Sequence, residues 1–447
     1  MQHNIKKISD VTNQASKVLY SALFILSAIT TGHPMQTFLI ILALLAFLTI
    51  IFEEVIHINK AKTTLFLGAL SWIILFASAE PGPHREDVQL AFNENLLEIA
   101  ALWLFLMAAM TFVAYLNHKG LIESMIYKFL PSNISEKKLL FLVATFSFVF
   151  SSLSDNITAT LVSMTLVLSL KLPADKAIKY AVLVVFSVNS GGVSLITGDV
   201  TTLMIFLEGK VAIQDLLWLS IPSFVSVMLL SLLLSFSVSG RITIVTKKLS
   251  EDLVGKRIAA IFLMTIIATI LLNIYAQVPP VLTFLFGLSI MFLVGRIFYR
   301  GDKRDNMLEY IRAIEYDTLL FFLGILLLVG MLKEIKVLDA LVELYQIMPI
   351  SYANYSMGLI SSLVDNVPLT AAVLKSSIQM SSAQWLSLTY GVGVGGSLLI
   401  IGSAAGIVAM SKISTLNFFS YMKYFVYLLL AYTCGYIGSL AVGNILY

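Results

Sequence analysis

Thirteen apolar stretches dominate this chain, and a membrane-spanning helix needs roughly 20 mainly apolar residues. Eleven of the stretches lie near 18–32, 36–53, 62–79, 96–116, 177–207, 216–239, 258–275, 281–299, 317–333, 385–411 and 416–445. Composition agrees with a lipid setting. Of 447 residues, 58% are hydrophobic and 12% charged, about half the charged fraction that a soluble domain uses to cover its surface. The net charge of +3 is small and scattered, which argues against a nucleic-acid partner. The single cysteine, Cys434, excludes a disulfide or zinc framework. Lys6, Lys7 and Lys17 precede the apolar run Val18–Ile29 without a clear small-residue cleavage site, so that run reads as a first membrane helix. The expectation is an all-α polytopic membrane protein.

Two further stretches, 138–170 and 350–380, are each interrupted near the middle by an Asp-Asn pair. With arms of about 13–15 residues at 1.5 Å per residue, each arm reaches past the bilayer midplane but not across it. Each stretch is therefore one long crossing or a re-entrant hairpin. Lys119, Lys128, Lys137 and Lys138 precede the first stretch, and Lys171, Lys176 and Lys179 follow it. Basic flanks on both sides are cytoplasmic by the positive-inside rule, so 138–170 reads as a hairpin. The acidic loop 80–95 goes outside, and the basic loops 241–257 and 296–312 go inside. Threading through these anchors puts 350–380 on the external side. The result is eleven crossings and two re-entrant hairpins, with the N-terminus inside.

The chain also repeats itself. Ser151-Ser152-Leu153-Ser154-Asp155-Asn156-Ile157 returns as Ser361-Ser362-Leu363-Val364-Asp365-Asn366-Val367. Downstream, the glycine-rich segment 191–198 returns as 395–402, and upstream Glu98 and Asp317 stand in similar places. Each copy reads as helix, hairpin, broken helix, helix, entered from opposite sides. Inverted repeats whose broken helices meet near the midplane are a recurring plan of secondary transporters. The expected organisation is N-terminal helices over 1–90, a first repeat over 91–240, linking helices and basic loops over 241–312, and a second repeat over 313–447. The first repeat holds hairpin 138–170 and broken helix 177–207. The second holds hairpin 350–380 and broken helix 385–411.

The segments SLSDNITAT, NSGGVSLITGDVTT, SSLVDNVPLTAA and GGSLLIIGSAAG resemble those of NhaD-type sodium/proton antiporters, within the ion transporter superfamily. The resemblance runs from about residue 90 onward, and the first three helices carry no motif that adds to it. It implies exchange of Na⁺ or Li⁺ for protons in a bacterial inner membrane. It also implies a homodimer whose transport domain moves against a scaffold.

An ionised carboxylate at membrane depth is costly, so Asp155, Asp199 and Asp365 need a function. Sodium is a hard cation that takes oxygen ligands. The first tip offers Asp155, Asn156, Thr158 and Thr160; the second offers Asp365, Asn366 and Thr370. The glycine-rich breaks favour unwound chain and exposed carbonyls. Asn189, Ser194, Thr197, Asp199, Thr201 and Thr202 complete the first half, with Ser397 and Ser403 in the second. Na⁺ is expected at Asp155, Asn156, Asp365 and Asn366. Plain helix capping is the competing reading for the Asp-Asn pairs, since both residues are good N-caps. Asp199 has Ser403 as its repeat partner, so the halves are chemically unequal. Glu98 and Asp317 suit solvated helix ends as well as function. His3, His33, His57, His84 and His118 fall mostly in or beside loops and are not expected to carry protons.

An intramembrane aspartyl protease would leave the repeat unexplained, and no nucleotide-binding motif is present, so neither an enzyme nor a cofactor is expected. A sodium-coupled carboxylate symporter or an arsenite exporter of the same superfamily is the nearer alternative. Two aspartate-bearing tips would repel a dianion and attract cations.

Overall fold

The computed structural model describes residues 34–51, 59–121, 133–243, 253–298, 308–413 and 415–447. The expected span 18–32, parts of the basic loops, and His3, His33 and His57 lie outside them. The described chain is almost wholly helical. It begins with α1 (Pro34–Ile51), α2 (Lys60–Ser78) and α3 (Pro83–His118). The first interrupted stretch is α4 (Glu136–Leu153) and α5 (Asn156–Ser169). The first broken helix is α6 (Ala174–Gly192) and α7 (Val200–Leu207), followed by α8 (Ile213–Ser235). Linking helices α9 (Leu253–Ala276) and α10 (Pro280–Phe298) come next, then the single turn α11 (Glu309–Arg312). The second half runs through α12 (Tyr316–Glu334), α13 (Asp339–Ile347), α14 (Ile350–Ser361), α15 (Asn366–Lys375) and α16 (Ser382–Gly395). It ends with α17 (Ala404–Lys412), α18 (Phe418–Met422) and α19 (Phe425–Leu446).

Among the described residues, seven helices are long and apolar enough to cross a membrane: α2, α3, α8, α9, α10, α12 and α19. Leu263, Met264, Leu271, Phe286 and Leu293 on α9 and α10 are exposed, as side chains facing lipid rather than a protein core would be. The acidic loop expected at 80–95 is mostly helix, because α3 starts at Pro83. A proline in the first turn loses no helical hydrogen bond, and Glu86 complements the positive helix end. Glu98 consequently lies inside a helix. The interrupted stretches are also less even than their pattern suggested: α4 has 18 residues and α5 has 14, while α14 has 12 and α15 has 10.

The helix ends meet in a revealing way. Strand β1 (Asn133–Ser135), just before α4, pairs antiparallel with β2 (Arg241–Thr243), just after α8. Lys176 near the start of α6 bonds to Glu136 at 2.6 Å, and Lys179 donates to the Ser237 carbonyl at 2.9 Å. The chain thus leaves for α4 and returns from α5 at one end of the bundle, beside the C-terminal end of α8. At the other end of α8, Asp215 accepts from the Tyr447 hydroxyl at 2.7 Å. Gly443 there lies against Ala383 at the start of α16. Asn354 in α14 donates to the Gln384 carbonyl at 2.9 Å. The pair α14–α15 therefore opens at the opposite end of α8, about 34 Å away.

The repeat extends to individual contacts. Ser151 donates to the Val188 carbonyl at 2.7 Å, and Ser361 donates to the Val392 carbonyl at 2.8 Å. A Cβ on Gly191 would run into the backbone carbonyl of Phe148, and one on Gly395 into that of Gly358. These glycines were expected to unwind the chain. Instead both remain helical, and their lack of a side chain lets each broken helix press against the arm beside it.

Candidate cation site

Four helices start at one cavity. Asp155 caps α5, Asp199 caps α7, Asp365 caps α15 and Ser403 caps α17, each accepting a backbone amide of its own first turn. All four caps line a cavity of about 160 Å³. The sequence places a good capping residue at each break, so local capping preference and the site are one feature. Pro368 falls in the first turn of α15, where its missing N–H costs nothing.

Asp155 is held within its own tip: Oδ1 accepts the Thr158 amide at 2.9 Å and Oδ2 the Thr158 hydroxyl at 2.7 Å. Asp199 reaches across the halves, its Oδ2 accepting from the Asn366 amide at 3.1 Å. A second crossing bond runs from the Asn189 amide to the Ser403 hydroxyl at 3.1 Å. Asn156 stands against Gly192, and its Oδ1 is 3.0 Å from the Ser151 hydroxyl. Thr197 lines the cavity while donating to the Ser152 carbonyl at 2.7 Å.

The structure thus brings Asp155, Asn156, Thr197, Asp199, Asp365, Asn366 and Ser403 to one cavity. It leaves Thr158, Thr160, Asn189, Ser194, Thr201, Thr202, Thr370 and Ser397 out of the lining. Thr160 and Thr370 back-bond to the carbonyls of Asn156 and Asn366, and Ser397 to that of Val394. Ser194 and Thr202 make longer contacts to backbone carbonyls of Ser190 and Gly192. Two atoms of this outer group remain buried without a hydrogen-bond partner, Asn189 Oδ1 and Thr201 Oγ1. His118 packs edge-on against Tyr310 and does not line the cavity.

Sequence reasoning missed Lys60 and its N-capping neighbour Asn59, at the start of α2, which carries no repeated motif, and read Asp317 as suited equally to a solvated helix end and to function. Lys60 Nζ lies 3.1 Å from Asp365 Oδ2, and Asn59 donates to Asp317 Oδ2 at 2.6 Å. Glu98, read as the repeat partner of Asp317, pairs instead with Lys375 at the end of α15. Among the described residues, four carboxylates therefore line the cavity, against the single ammonium of Lys60. Among the described residues, no three His, Cys, Asp or Glu side chains cluster closely enough to hold a metal ion. The carboxylates ring the cavity rather than share one point. A cation there would draw the rest of its ligands from amides, hydroxyls and carbonyls.

Known transporters resemble this chain over most of its length. The family model described as "Citrate transporter" matches residues 21–395. The chain is 31% identical over 431 residues to the Na⁺/H⁺ antiporter NhaD of Alkalimonas amylolytica, covering 89% of this chain and 88% of that protein. The chain belongs to the NhaD family. The NhaD antiporter of Vibrio cholerae is 29% identical, over 87% of this chain and 88% of its own. Sodium/proton antiporter 1 of Arabidopsis thaliana is also 29% identical, over 89% and 70%. These NhaD-type relatives are transporters rather than enzymes. With its apolar helices, this NhaD-family chain is a multi-pass protein of the inner membrane.

Proposed function

We propose that the chain exchanges Na⁺ or Li⁺ for protons across the cytoplasmic membrane. The observation that carries this reading is the charge of the cavity: among the described residues, Asp155, Asp199, Asp317 and Asp365 line it with only Lys60 opposed. Asp199 is buried, and Asp155 and Asp365 are partly so; carboxylates shielded from water are costly to keep ionised without an opposing charge. A proton or a metal cation would supply that charge, and one site that accepts either is a site of exchange. Thr201 Oγ1 and Asn189 Oδ1 are spare oxygens beside that set. The names of the NhaD relatives point the same way.

The citrate-transporter description of the family model suggests the alternative cargo, a carboxylate. Helix N-termini attract anions, and four of them converge here. Three are already capped by the chain's own aspartates. A cradle filled with carboxylates disfavours a further one, which supports a cation.

The two interrupted pairs open at opposite ends of α8, which supports reading them as re-entrant hairpins from opposite sides within eleven crossings. In that reading hairpins and broken helices (138–170 with 177–207, and 350–380 with 385–411) form the moving body of an elevator. The remaining helices form its frame, in a homodimer. The test is cation-induced proton movement in everted vesicles, scanned over Na⁺, Li⁺, K⁺ and pH. Proton efflux on adding Na⁺ or Li⁺ is the expected result; citrate-dependent Na⁺ uptake without proton movement would favour the carboxylate reading.

A further inference from the structure

The two tips differ in what holds their carboxylates. Both oxygens of Asp155 rest on uncharged donors of Thr158. Asp365 has the Val367 amide on Oδ1 at 3.2 Å, but Oδ2 faces the Lys60 ammonium at 3.1 Å. Both side chains are largely shielded, at 18% exposure for Lys60 and 11% for Asp365. The ammonium also lies 4.6 Å from the centre of the Phe321 ring, a favourable placement for a cation.

Lys60 and Asp365 sit at the starts of different helices. Lys60 opens α2, which is locked to α12: Gly68 faces Gly324, where an added Cβ would stand 2.6 Å from the carbonyl oxygen. Trp72 Nε1 donates to the Leu327 carbonyl at 2.8 Å. Asp365 sits at the turn between α14 and α15, on the other side of the cavity.

We propose that Lys60 is a tethered counter-ion that occupies Asp365 when no transported cation is bound. This rests on the cation-exchange reading above. A cation taking Asp365 Oδ2 must displace an ammonium held at high effective concentration by its own backbone. Two consequences follow. The tether weakens apparent cation affinity, so the site releases its ion readily. Displacement also breaks the ion pair between the second tip and α2, so loading the site loosens the tie between them. Lys60 is thus a positioning residue of the unloaded state, contributed by the part of the chain that lacks the repeat.

The experiment is equilibrium binding of radioactive Na⁺ to the purified full chain in nanodiscs. The variants are Lys60→Gln, Lys60→Met and Lys60→Arg; Lys60→Met keeps the apolar stem over Phe321 if Lys60→Gln does not fold. Removing the tethered competitor is expected to tighten the Na⁺ constant about tenfold in either neutral variant. Lys60→Arg is expected to restore the weaker constant. An ion pair serving stability alone would lower the melting temperature without tightening Na⁺ binding. Folded neutral variants that bind Na⁺ no tighter than wild type would overturn the inference and leave the antiport reading standing. Absence of Na⁺ binding in the wild type would overturn both.

Discussion

Gly198 and Gly402 each stand one residue before a helix cap that lines the cavity, and alanine at either position has a calculable effect. A Cβ on Gly198 would lie 2.6 Å from the Gly192 carbonyl oxygen and 2.7 Å from that of Ser151. A Cβ on Gly402 would lie 2.7 Å from the Gly396 carbonyl oxygen, the equivalent contact of the second half. Carbon and carbonyl oxygen normally approach no closer than about 3.3 Å. The backbone must therefore yield by about 0.7 Å at Gly198 and, because the Ser362 carbonyl oxygen would be only 2.4 Å away, by about 0.9 Å at Gly402, against neighbours that are themselves backbone and cannot rotate away. Overpacking of this kind costs about 1–3 kcal/mol, and Tm should fall by a few degrees in both Gly198→Ala and Gly402→Ala. Asp199 and Ser403 shift with their glycines, and a misplacement approaching 1 Å in a positioned site costs up to about 100-fold in rate. Thermal unfolding in detergent, followed by fluorescence-detected size exclusion, reads the first effect; proton flux in proteoliposomes reads the second. Unchanged Tm and flux in both variants would refute the tight seating of the breaks against the tips.

Asp199→Asn is expected to weaken the apparent Na⁺ constant if Asp199 is a ligand, or to change the protons exchanged per Na⁺ if it carries the second proton; reversal potentials in proteoliposomes separate the two, and no change in either makes Asp199 structural. In a Cys434→Ser background, single cysteines at Lys171 and Ser382 should label from the cytoplasmic and the external side respectively; labelling of both from one side would contradict the inverted arrangement. Trp72→Phe removes the bond to the Leu327 carbonyl at 2.8 Å and should cost about 1 kcal/mol, seen as a lower Tm with cation specificity unchanged.

The sequence carried the helical membrane class because length and hydropathy set it directly. It also carried the two Asp-Asn tips and glycine-rich breaks, because each appears twice and a repeat is visible without coordinates. What it did not carry depends on contacts between distant segments. Lys60 lies far from Asp365 in the chain, in a helix with no repeated motif, so no local pattern marks it. The glycines at 191 and 395 looked like helix breakers because close approach to another segment leaves no local signature. The threonines at 158, 160 and 370 read as ligands; their hydroxyls donate to Asp155 and to the Asn156 and Asn366 carbonyls, and none of the three lines the cavity. Glu98 and Asp317 looked equivalent in the pattern, but α3 begins earlier than its apolar run and carries Glu98 to a different partner, Lys375.

The central claim is that one set of carboxylates holds either Na⁺ or protons. Proton release from the purified protein on adding NaCl, in weakly buffered detergent solution, tests it without any membrane gradient. The wild type is expected to release protons on Na⁺ addition but not on addition of choline chloride. Asp155→Asn and Asp365→Asn should each abolish the release while remaining folded. Release of equal size in both variants, or none from the wild type, would contradict the account.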